Sequence, residues 1–199
     1  MGKSRLETFS DGVIAIIITI MVLELKIPKA EPGSPTNVHA DSLSSLKTLL
    51  PVFLSYILSF INIAIYWNNH HHMMHAVQHI NGAVLWANIH LLFWLSLVPF
   101  ATAWMGENNF TTWPVVIYGV VFIMAGIAYY FLTHSLLKIH SHDSKFARAL
   151  GSDRKGKLSV VIYAAGIALC FINPWIGFAL YALVSVMWII PDRRFEKTE

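Results

Sequence analysis

Apolar residues along this chain do not alternate with polar ones. They gather in six long blocks, at about 9–27, 46–67, 82–105, 113–137, 158–172 and 174–190. Blocks of this length predict helices, because a membrane strand needs only about 9–11 residues and alternates in polarity, whereas a helix needs roughly 20 apolar residues to cross a hydrocarbon core. The Ile-rich "IAIIITIMVL" would suit a buried strand if it stood alone; within its longer apolar frame it reads as helix. The punctuation between blocks agrees. "IPKAEPGSPTN" is a Pro/Gly/Ser loop, "TTWP" offers the fourth block a Thr cap and an early proline, and Asn173–Pro174 is a turn between the last two. The last two blocks are short, so a re-entrant hairpin stands as the alternative to two full spans. No repeat is visible, and residues 1–199 are expected to form a single membrane domain of six transmembrane helices.

Composition supports lipid as the solvent. Hydrophobic residues make up 56% of the chain and charged ones 13%, half the share of about a quarter usual in soluble domains. Mean hydropathy is +0.57. A net charge of +3 does not point to nucleic acid, since the basic residues cluster at loop ends beside apolar blocks. With six spans, one side receives Lys3, Arg5, Lys138, Lys145, Arg148, Arg154, Lys155, Lys157, Arg193, Arg194 and Lys197; the other receives Lys26, Lys29 and Lys47. That bias predicts both termini in the cytoplasm. Cys170 is the only cysteine, which leaves no intrachain disulfide and no Cys-based metal site. Glu7 and Asp11 interrupt what would otherwise be a signal-peptide entrance, and no cleavage site follows, so the first block is expected to remain.

The first block carries the most specific chemistry. On a wheel of 100° per residue, Ile16, Thr19, Ile20 and Leu23 share an arc of about 100°, and Asp11 lies roughly 140° from Ile16. The helix thus has an aliphatic stripe holding one hydroxyl, and a carboxylate facing elsewhere. By periodicity alone the stripe reads as lipid-facing or packed surface. Asp11 is less easily explained, because a carboxylate at membrane depth costs several kcal/mol and is usually paired or functional. Arg5 is a candidate partner.

"RLETFSDGVIAIIITIMVLEL" (5–25) resembles the first helix of the transmembrane protein 175 family of potassium channels, and "IYWNNHH" (65–71) and "LWANIHLLFWLSLVPFATAWMG" (85–106) resemble its second and third. The resemblance covers about half the chain in motifs. It implies an all-α subunit of six transmembrane helices, four copies of which form a homotetramer with a pore lined by helix 1. It implies conduction of K+ without a carbonyl filter loop, and the chain indeed lacks a "TVGYG"-like segment. Carried over by position, Ile16 would form the constriction, Thr19 a hydroxyl layer, and Ile20 and Leu23 further apolar layers. Arg5, Phe9, Ser10 and Asp11 would form a polar network with Trp67, His70, His71 and Asn88. The expected partners are other copies of the chain, membrane lipid and potassium ions, with no resident cofactor, in a prokaryotic cell membrane.

The chain departs from that family after "WNNHH", reading "HMMHAVQH". His71, His75 and His79 repeat at i, i+4 and i+8, a spacing that can place imidazoles on one helix face for Zn, Ni or Cu. Three readings stand: interfacial histidines, a metal site (and with it a divalent-metal transporter using the His70–His79 cluster), or a pH sensor. An enzyme is not expected. No HExxH is present, and Ser10 and Asp11, adjacent on a helix, point in different directions.

Overall fold

The computed structural model describes residues 2–26, 47–140 and 154–189. The expectations for the loops around 27–46 and 141–153 and for the C-terminal tail lie outside them. Among the described residues the chain is all helical: α1 (Lys3–Leu23), α2 (Leu50–Ala76), α3 (Gly82–Ser96), α4 (Val98–Glu107), α5 (Thr112–Ile139), α6 (Arg154–Cys170) and α7 (Pro174–Ile189). α3 and α4 together form one membrane-length element, Gly82–Glu107, interrupted only at Leu97. The interruption has a local cause. Pro99 stands in the first turn of α4 and has no N–H to give to the preceding turn, so the hydrogen-bond ladder restarts there.

Four elements are long and apolar enough to cross a membrane: α1, α2, α3–α4 and α5. At 16 residues, α7 spans only about 24 Å at 1.5 Å per residue, short of a ~30 Å core. The outer surface is rich in exposed Trp, Phe, Ile and Leu, including Trp86, Phe100, Trp113 and Ile172. Such a surface is stable only against lipid or further protein, and the chain is an integral membrane protein.

α2 runs two turns past the apolar block, through "NNHHHMMHA", because His70, Met73 and Met74 turn inward and are buried. It ends where Val77 adopts an extended conformation, and α3 starts on an Asn81 cap whose Oδ1 accepts from the Val84 N–H at 3.0 Å. Thr111 occupies the cap of α5 without a side-chain bond. Asn173 closes the last turn, its Oδ1 accepting from the Trp175 N–H.

Apolar burial cannot by itself hold helices together in lipid, since acyl chains are as apolar as Leu; close approach and interhelical hydrogen bonds do so. Both are present. Gly106 of α4 lets the backbone of α2 approach so closely that an added Cβ would lie 2.7 Å from Val52 Cα. At Gly119 of α5 the Tyr181 ring occupies the space a side chain would need. A buried polar cluster joins four helices: Ser59 Oγ and Thr102 Oγ1 are 2.6 Å apart, Ser59 and Asn62 both donate to Tyr118 Oη, and Ser185 Oγ donates to Asn62 Oδ1. The α4–α5 turn is tight enough to put Asn109 and Phe110 at positive φ. Phe110, unusual in that region, is held by packing of its ring 4.6 Å from those of Trp175 and Phe178.

The first helix and its polar brace

α1 packs against α2, α3 and α4. Its buried residues, Leu6, Ser10, Ile14, Ile17 and Met21, follow one another at steps of three and four and so form one face. The stripe faces the other way: Ile16 is 57% exposed and Leu23 72%, and Thr19 and Ile20 are also exposed. A groove runs beside the stripe, with Ile16, Ile20 and Glu24 on one wall and Ser96, Pro99 and Phe100 at the α3–α4 break on the other. The Thr19 hydroxyl donates to the Ile16 carbonyl at 2.9 Å. Its own lone pairs are left to accept from, or coordinate, something outside the helix.

The residues expected in the polar network separate into two groups. The inner group is fully buried and connects three helices. Ser10 Oγ donates to the Leu6 carbonyl at 2.8 Å, Asn88 Nδ2 donates to Ser10 Oγ at 2.9 Å, and His70 Nε2 lies 2.8 Å from Asn88 Oδ1. A carbonyl oxygen only accepts, so this arrangement requires the hydrogen of His70 on Nε2; Nδ1 has no hydrogen-bond partner among the described residues. The outer group lies at the helix surface. Trp67 Nε1 donates to Asp11 Oδ1 at 3.0 Å, and the Trp67 ring stacks on His71 at 5.7 Å. Asp11 is therefore partnered by an indole N–H on α2.

Arg5 and Phe9 belong to neither group. Both are exposed, and on the wheel both lie within about 20° of Ile16, in line with the stripe. Arg5 makes no hydrogen bond or ion pair with any other described residue. His79 lies beyond the end of α2 and does not extend the His71–His75 face. What joins those two histidines is Glu7 of α1, a residue that no spacing rule along α2 could have indicated. The ligand atoms of Glu7, His71 and His75 all lie within 4.8 Å of one another.

At the far end of α1, Lys26 Nζ makes a 2.6 Å ion pair with Glu107 at the end of α4 and lies 3.9 Å from Glu24. The pair fastens the C-terminal end of α1 to the α3–α4 element.

α1 is thus a membrane helix braced from behind by polar bonds, with its aliphatic face left exposed. A family model described as the endosomal/lysosomal potassium channel TMEM175 matches residues 5–99. A potassium channel of Chryseobacterium sp. (strain P1-3) is 49% identical over 198 residues, covering 100% of this chain and 98% of that one. A potassium channel of Streptomyces collinus is 28% identical over 193 residues, covering 94% and 91%. Among solved structures, the crystal structure of a lysosomal potassium-selective channel TMEM175 homolog from Chamaesiphon minutus superposes with a TM-score of 0.81 at 27% identity, covering 96% of this chain and 97% of that one. The chain belongs to the TMEM175 family.

Proposed function

We propose that the protein is a potassium-selective channel formed by four copies of this chain around an axis lined by α1. The observation that carries the reading is the aliphatic stripe of Ile16, Thr19, Ile20 and Leu23, exposed among the described residues on a helix whose opposite face is fully packed. Relatives that span the whole chain are named potassium channels, which gives no support to an enzyme or to a divalent-metal transporter. In this reading Ile16 is the narrowest ring. A ring of aliphatic side chains cannot replace an ion's hydration shell and closes by dewetting. Four Thr19 hydroxyls, each already donating to its own helix, would turn lone pairs toward the axis and favour K+, which is cheaper to dehydrate than Na+. Any partner for Arg5 and Phe9 would then come from a neighbouring copy at the inner mouth. The charge bias supports cytoplasmic termini, and the bacterial relatives support a prokaryotic cell membrane.

The test is ion flux through protein reconstituted in liposomes. Wild type should pass K+ well above Na+. Thr19→Ala should narrow that ratio, and Ile16→Asn, which wets the constriction, should raise K+ flux several-fold. Equal K+ and Na+ permeation through wild type would defeat the selectivity claim.

A further inference from the structure

We infer that Glu7, His71 and His75 form a transition-metal site that ties the first turns of α1 to the last turns of α2. Among the described residues this is the one place where three such ligands converge. Two imidazoles one helical turn apart with a carboxylate from a second helix make a His2Glu set of borderline ligands, suited to Zn2+ and Ni2+ rather than to Mg2+ or Ca2+. In a tetrahedral site with bonds of about 2.0–2.1 Å, ligand atoms stand roughly 3.3 Å apart. His75 Nε2 and Glu7 Oε1 are already 3.8 Å apart, and the His71 and His75 rings are 4.5 Å apart. Small side-chain rotations close the remainder, and the exposed side chain of His75 is free to make them. His71 is pre-oriented by its stack on Trp67, which Asp11 holds in turn. The Glu7 carboxylate offsets part of the metal charge, and the open side leaves a fourth position for water.

The site rests on this geometry and its detection needs no ion flux; only its consequence, a metal that restrains the pore helix, depends on the channel reading. It differs from the His71–His75–His79 face that the spacing suggests, because α2 ends before His79. The experiment is Zn2+ titration of tag-free, detergent-solubilised protein by calorimetry, with the melting temperature followed in parallel. The expected result is one Zn2+ per chain and a melting temperature that rises with Zn2+. His75→Ala should weaken binding at least tenfold. Glu7→Gln, which keeps the shape of the side chain, should abolish the thermal shift even where the two histidines retain weak binding. His79→Ala should leave both readouts unchanged. Binding unaffected by Glu7→Gln and His75→Ala, or reduced equally by His79→Ala, would overturn the assignment, as would the absence of Zn2+ binding to wild type.

Discussion

Asn88 shows how a single side chain can hold three helices in register. It gives its amide hydrogen to Ser10 on α1 and takes one from His70 on α2, so both of its polar ends are used. Interhelical hydrogen bonds in membranes average about 0.6 kcal/mol, with the largest near 1.7. Asn88→Ala removes two and leaves buried groups unpaired, so a loss of roughly 1–3 kcal/mol is expected. A drop in the melting temperature of the detergent-solubilised protein measures it. Trp67→Phe breaks only the exposed bond to Asp11 and should cost much less. An equal loss in both variants would mean that the buried triad does not dominate the brace.

Between elements, α4 meets the backbone of α2 at Gly106 too closely to admit a side chain. A Cβ there would meet both Ser55 Oγ and the Val52 backbone, and backbone cannot swing aside as a side chain can. Gly106→Ala should destabilise by about 1–3 kcal/mol through overpacking. Gly126→Ala on α5 meets only Tyr66 Oη at 3.8 Å and should gain from helix propensity by up to about 1 kcal/mol. Opposite signs in thermal unfolding are the expected outcome. The Lys26–Glu107 pair ties α1 to α4 at the other end of the molecule. Its hydrogen bond and charge hold the Lys26 ammonium above its usual pKa, with Glu24 adding to the effect. A raised lysine contributes fully below its unfolded value and loses that contribution as pH climbs through the folded one. The melting-temperature difference between wild type and Glu107→Gln should therefore hold steady on the neutral side of that value and disappear in strongly alkaline buffer. Both groups are exposed, so high salt should shrink the difference as well.

For the whole molecule, the decisive feature is asymmetry around α1. One face is packed and hydrogen-bonded, while the other carries exposed Phe9, Ile16, Ile20 and Leu23 beside an apolar groove. If four copies enclose an axis with these faces inward, cysteines at Ile16 or Leu23 should cross-link between chains in the membrane. Cysteines at Trp86 or Trp113, which are exposed on other helices, should not. Cross-links of the second kind without the first would place the stripe in lipid and leave no conduit. The comparison is clean once Cys170, itself buried, is replaced.

Read alone, the sequence was enough to determine the solvent, the helical class and the family. Hydropathy is a sum over neighbours in the chain, so the six blocks carry the solvent and the helical class without reference to any contact, and motifs such as "RLETFSDGVIAIIITIMVLEL" carry the family. The same wheel correctly separated Asp11 from the Ile16–Leu23 stripe, because a helix repeats every 3.6 residues wherever it sits. Partner choice was another matter. Proximity in the chain offers Arg5 to Asp11, and only the family resemblance brings in Trp67; the bond comes from Trp67, 56 residues away. His79 was the third member of a histidine face by spacing, yet α2 stops short of it and Glu7 takes the place. The polar tail of α2 ended the apolar block at 67, although the helix continues to Ala76 because three of its residues turn into the core. Each of these depends on how helices are rotated and shifted against one another, a long-range property that arises only when the elements pack.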